Sequence, residues 1–328
     1  MDPTAAILPE SHTKIPSPAA SAQARGARRF DLFFTKATVL AGWGTVALLA
    51  WIMFQIAYEA WPAIRQFQFG FIVSQDWDTE NDIYGALPFI YGTLVSSILA
   101  LLIATPLGVA IAIFLTEDYL PPWAQDFFKF TVELLAAIPS VIYGLWGIAV
   151  VIPITNPIGY WLNAHFGWFP LFSTPPSGPC FLPASFVLAI MVLPTIAALS
   201  RTALKATPGP TKEGALALGA TRWEVIRQIT LPMASTGIVG AAVLALGRAM
   251  GETMALAMLI GNKNQISASI FAPANTIASL LANSFGEADG LQISALMYLS
   301  FILMVLTLAV NALAEWVLEY TGATKRHV

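Results

Sequence analysis

Charge is what this chain has least of. Only 11% of its 328 residues are Asp, Glu, Lys or Arg, less than half the share in an ordinary soluble domain. With 57% hydrophobic residues and a mean hydropathy of +0.69, too few polar groups remain to cover a soluble surface, so the composition points to a membrane. The single cysteine, Cys180, excludes an intramolecular disulfide, a thiolate metal cluster and a redox pair; it is expected to pack as a small apolar residue. His12, His165 and His327 are too scattered for metal ligation. No lysine follows a glycine, so the G-x-x-x-x-G-K-[ST] phosphate loop is missing and the chain cannot itself be an ATPase. A net charge of -3 argues against a nucleic-acid binder. No nucleophile–base pair suggests catalysis.

What the chain has is long apolar runs. A spanning helix needs about 20 apolar residues, and six stretches qualify: 38–58, 87–116, 134–152, 183–200, 235–260 and 291–314. The second is 30 residues without a charge, with Pro106 as its expected kink. The fifth carries Arg248 and Glu252. The expected class is an all-α polytopic membrane protein with its permeating core in 35–318. Residues 1–34 read as a disordered tail and 319–328 as a short C-terminal one.

Six spans put both termini on one side. Thirteen of the sixteen basic residues fall in the tails and in the second and fourth connections, against Arg65 and Lys263 in the opposite set. Positive charge marks the cytoplasmic side, so both termini and connection 201–234 are expected there. Residues 123–135 alternate aromatics with Gln125, Asp126, Lys129 and Glu133, the pattern of an interfacial helix. The opposite face carries an acidic connection, 59–86, and a proline-rich one, 153–183, which reads as a stiff cap.

Connection 201–234 reads as two short helices broken at Gly219. Thr211 is the expected N-cap of the first, below Pro208 and Pro210, and Thr221 with Glu224 has capping-box spacing for the second, which Pro232 is expected to stop. Such an elbow suits docking against a partner or packing on its own bundle.

The spacing Glu213-Gly214-Ala215, three residues, Gly219, nine residues, Ile229, one residue, Leu231-Pro232 resembles the EAA loop of ABC importer permeases. Gly214 stands where that loop usually has alanine. The strings Ile138-Pro139-Ser140-Val141-Ile142-Tyr143-Gly144 and Gly247-Arg248-Ala249-Met250-Gly251-Glu252-Thr253-Met254 resemble the phosphate permeases among them. The resemblance implies a type I importer permease fold in a bacterial inner membrane. It implies a related second permease, two ATP-binding subunits that bind ATP and Mg, and an extracytoplasmic phosphate-binding protein as partners. It also implies that Glu213, Gly214, Ala215 and Gly219 couple the chain to the ATPase, and that no cofactor is the chain's own. Sulfate- or molybdate-type permeases share the loop.

Arg248 and Glu252 stand at i and i+4, one turn apart on a helix face. Two readings are open: a buried staple, or a site on a wet transport path. The resemblance implies the second. Gly247 and Gly251 form a G-x-x-x-G pair that would admit close approach of another helix. A membrane enzyme acting on lipid or phosphate esters is the rival from another class, but it would need more acid–base groups in its spans. A purely structural assembly subunit would explain the elbow and not the charges.

Overall fold

A computed structural model of the protein describes residues 18–117 and 121–320, with side chains from 33 to 316. Residues 1–17 and 321–328, most of the two expected tails, lie outside them. Among the described residues regular structure is helical, with two isolated bridges, Asp78 to Ile83 and Gly261 to Ala274. Six helices are long and apolar enough to cross a membrane. The chain is therefore an all-α multi-pass protein, as its apolar runs require.

The helices are α1, Pro18–Phe67; α2, Leu87–Thr116; α3, Pro122–Ala137; α4, Ser140–Phe166; and α5, Phe181–Lys205. They continue with α6, Gly209–Ala217; α7, Arg222–Met250; α8, Met254–Leu259; α9, Ile277–Ser284; and α10, Gly290–Tyr320. Helix α1 starts inside the stretch expected to be a tail. Its residues up to Gln55 form a unit distinct from the one that begins at Ile56, and the side chains from Phe33 to Gln55 are all exposed.

The larger unit is organised on α2 and α5, which share the most extensive helix contact. The main core joins Ala100 and Ala104 of α2, Val187, Leu188 and Ile196 of α5, Ala245 and Ala249 of α7, and Leu256 and Leu259 of α8. In lipid, helices associate through close van der Waals packing rather than by escaping water, which favours small residues at contacts. Gly108 shows the effect: a methyl group there would stand 2.7 Å from Ile196 Cγ2. A second core gathers Phe71, Tyr84, Phe89, Leu296 and Tyr298, with Phe71 stacked on Tyr298 at 4.5 Å.

Several boundaries differ from those the sequence suggested, for physical reasons. The third span begins at Ser140, not 134, because α3 is a separate amphipathic helix that ends before Ile138-Pro139. Gln125 Nε2 ties α3 to the last turn of α2, donating to the Leu115 carbonyl at 2.7 Å. Helix α4 continues to Phe166, so half of the expected proline-rich cap is helix. The rest is zipped to the loop after α8, with Leu182 N–H donating to Ile270 O at 3.0 Å and Ile270 N–H to Leu171 O at 3.0 Å. Cys180 is buried in this region, and burial pushes its thiol up to about 11.

Pro153 and Pro232 do not stop their helices. Each is preceded by one π-helical stretch, Gly147–Val151 and Ile226–Thr230. Proline lacks an N–H and its ring collides with the carbonyl four residues back. The wider π turn holds that carbonyl, of Ala149 or Gln228, within its own stretch and lets the helix run on. Helix α2 is unbroken through Pro106.

Replacing Gly108 with leucine should force α2 and α5 apart, an overpacking cost of about 1–3 kcal/mol. The detergent-solubilised protein should then melt at lower temperature, while alanine at Gly240, a helix-interior glycine with open space, does not lower it.

Candidate functional site: a broken helix and a docking elbow

The fifth span is not one continuous helix over 235–260. Helix α7 ends at Met250, residues 251–253 are non-helical, and α8 restarts at Met254. After α8 the chain turns sharply through Gly261, at φ +96°, and Asn262, at φ +49°. It then folds back as a loop, residues 261–276, whose stretch from Phe271 to Thr276 is buried. Backbone groups there find partners within the protein: Ala274 N–H donates to Ile260 O at 2.9 Å, and Lys263 N–H to Ala274 O at 3.1 Å. Buried side chains complete the network, with Ser279 Oγ donating to Asn275 Oδ1 at 2.7 Å and Asn275 Nδ2 to Asn264 Oδ1 at 3.1 Å.

Arg248 and Glu252 flank the break. Arg248 lies in the last turn of α7, where its charge complements the unpaired helix carbonyls, and its side chain is exposed. Glu252 is half-buried and Oε1 accepts from the Ala255 N–H at 3.4 Å, serving one of the first-turn donors of α8. The two side chains form no ion pair. The helical i, i+4 relation was the basis for a staple, and the helix stops between them. The hydroxyl of Tyr143 of α4, from the first family-like string, donates to Leu135 O at 2.8 Å.

Leu244 and Arg248, one turn apart on α7, are exposed, and so is Met254 at the start of α8. Gly247 faces elsewhere, toward Asn311 and Thr307 of α10, where a methyl group would meet ordinary contacts of 3.7–3.9 Å. Gly251 caps α7 and is exposed, so the two glycines share no helix neighbour within the chain. Asn311, which the sequence reading passed over, has a buried Oδ1 without a partner. A lone amide in an apolar run was the available signal. Asn311 and Glu315 also line a groove of about 640 Å³ between α5, α7 and α10, which neither Arg248 nor Glu252 touches.

The elbow sits at the far end of α7. Helix α6 starts at Gly209 with Pro210 in its first turn, where proline is tolerated, so Thr211 is inside the helix and does not cap it. Its end is a Schellman turn: Gly219 takes φ +94°, its N–H donates to Leu216 O at 3.0 Å, and Ala220 N–H donates to Ala215 O at 3.1 Å. The capping box then opens α7, with Thr221 N–H donating to Glu224 Oε2 at 2.7 Å and Glu224 N–H to Thr221 Oγ1 at 3.3 Å. Glu213 and Gly214 are exposed and Ala215 half-buried. Leu218, 92% exposed, joins Leu216 and Trp223 as exposed apolar residues of the elbow, a face that nothing among the described residues covers. Lys212 Nζ meets Glu117 Oε1, just past the end of α2, at 3.1 Å. Among the described residues no group of three or more His, Cys, Asp or Glu could hold a metal ion.

Residues 104–323 match the family described as "Binding-protein-dependent transport system inner membrane component". A phosphate transport system permease protein PstC of Haemophilus influenzae is 42% identical over 303 residues, covering 90% of this chain and 95% of that one. One of the same name from Xylella fastidiosa strain Temecula1 is 46% identical over 253 residues, covering 76% and 78%. Two solved structures share the fold. The chain of a bacterial ABC transporter involved in alginate import is 18% identical, with TM-score 0.52 over 87% of this chain and 96% of its own. A chain of the MetNI methionine ABC transporter, inward facing, is 17% identical, with TM-score 0.52 over 71% and 94%.

Alanine at Thr221 should remove the cap at a cost of about 1 kcal/mol. Amide exchange at Glu224 should then accelerate several-fold, while exchange in α5 stays unchanged.

Proposed function

Since the chain belongs to the family of binding-protein-dependent transport system inner membrane components, we propose that it is the permease subunit of an ATP-driven importer that carries inorganic phosphate into the cytoplasm. The observation that carries this reading is Arg248: an exposed guanidinium without an ion-pair partner, at a break in a membrane helix. A charge in such a helix is costly unless water or a ligand reaches it. The relatives' name supplies the anion. Sulfate- or molybdate-type transport has no corresponding support.

A phosphate ion must shed water to cross. Guanidinium stays charged and presents a planar donor fork that matches two phosphate oxygens. One such group attracts the anion without the deep well that several would make. Glu252 keeps one oxygen on α8, and Oε2 makes no hydrogen bond within the chain. That oxygen can accept a hydrogen bond from protonated phosphate, which sulfate at neutral pH cannot offer. It also places negative charge near the site, which speeds release.

With no phosphate loop, the chain depends on partners for energy. The reading assigns ATP, Mg and hydrolysis to two ATP-binding subunits, one of them seated on the bare face at Leu216, Leu218 and Trp223, with Glu213, Gly214, Ala215 and Gly219 forming the docking turn. A second permease completes the path, and a phosphate-binding protein delivers substrate outside. The skew of positive charge supports cytoplasmic termini and a cytoplasmic elbow, in a bacterial inner membrane.

Reconstituted complexes carrying Arg248→Gln should assemble with all subunits yet take up no labelled phosphate. Loss of assembly would instead mark Arg248 as structural. With Glu252→Gln, sulfate should compete better with phosphate for uptake; unchanged competition would remove the carboxylate from selectivity.

A further inference from the structure

Helix α2 joins the two ends of the molecule. Thirty residues at 1.5 Å each make a rod about 45 Å long. At its outer end, Tyr91 Oη donates to Ser267 O at 2.8 Å and Ile277 N–H donates to Thr93 Oγ1 at 3.1 Å. Between them, Gly92 lies so close to the Asn275 carbonyl that no side chain would fit. The outer end of α2 is thus fastened to loop 261–276, the segment that leads away from the helix break. At its other end, two side chains from different elements hold it. Gln125 of α3 grips the Leu115 carbonyl, and Lys212 of α6 meets Glu117.

The placement of the Lys212–Glu117 pair is informative because neither charge suits its own helix. Glu117 is the C-cap residue of α2, where helix carbonyls already concentrate negative charge. Lys212 is near the start of α6, where exposed N–H groups concentrate positive charge. Each weakens its own helix end and gains only from the other. Both side chains are about a quarter exposed, at 22% and 24%, so the pair adds little to stability. What it fixes is the position of α6 relative to α2.

We propose that the Lys212–Glu117 ion pair is the link through which the docking helix α6 moves α2, and through α2 the outer loop 261–276. The two are positioning residues: they touch neither substrate nor nucleotide, and they set how much of each ATP-driven displacement of α6 reaches the transport path. Because Gln125 still holds the last turn of α2, severing the pair leaves the fold standing. The inference rests on the importer reading of the chain.

The test uses the complete complex in vesicles with its binding protein, scored as phosphate taken up per ATP hydrolysed. Wild-type complex that hydrolyses ATP without taking up phosphate would defeat the importer reading, separately from this inference. Given wild-type uptake, Lys212→Gln and Glu117→Gln should each lower uptake per ATP, by up to about fivefold for a partly screened pair. Subunit stoichiometry and the ATP hydrolysis rate should stay as in wild type. Lys212→Arg should retain coupling, and the charge exchange Lys212→Glu with Glu117→Lys should restore what either single reversal loses. Uptake per ATP unchanged in the single variants would overturn the proposal. Loss of the ATP-binding subunits, or failure of the exchange to restore coupling, would overturn it equally.

Discussion

A backbone N–H that leaves its helix inside hydrocarbon has no water to turn to, and the cost of leaving it unpaired is several kcal/mol. The main departures from regular helix in this protein carry local compensation. At the fifth-span break, Glu252 receives an amide from the first turn of α8. In the fold-back loop, Ala274 and Lys263 reach carbonyls across a short parallel bridge, and Leu182 reaches Ile270. The consequence is functional. Glu252 serves the break as a local acceptor, and among the described residues the Arg248 guanidinium has no ion-pair partner.

Packing supplies the second condition. With little gain from burying apolar surface in lipid, rigidity comes from close contact between small residues. Gly108 against Ile196 and Gly92 against the Asn275 carbonyl bring neighbouring elements to distances no larger residue allows. The α2–α5 pair becomes a frame on which the α7–α8 break and the buried loop are mounted. Loosely held elements would blur the position of Arg248, and transmission over the length of α2 would be lost with it.

Much of this was legible in the chain. Long charge-poor runs revealed six spans, since hydrocarbon thickness sets a minimum length. Arg248 and Glu252 stood out because ionisable groups are rare in such runs. Gly219 and the Thr221–Glu224 spacing announced the elbow, whose turn and cap are both present. Other features escaped for definable reasons. Apolar content cannot separate α3 from α4, because an amphipathic helix runs directly into a span. Pro210 looked like a bar to helix and Pro232 like a stop, but proline is silent in a first turn or behind a π turn. The end of α7 at Met250 was marked by Arg248 in its last turn and Gly251 just after, but the apolar runs on either side read together as one span. Lys212 and Glu117, separated by 95 positions, meet only once the bundle has formed.

The π stretch at Ile226–Thr230 has an evolutionary implication. Such a stretch is equivalent to an α-helix with one additional residue squeezed in, each residue accounting for roughly 100° of rotation. Deleting a single codon there would let the segment relax to ordinary winding and leave everything downstream, Arg248 included, facing nearly as before, because the wide turn has already absorbed that angle. The same deletion in the regular helix beyond it would swing Arg248 around the axis instead. The stretch is therefore where residue number can change at least cost to the phase between elbow and guanidinium.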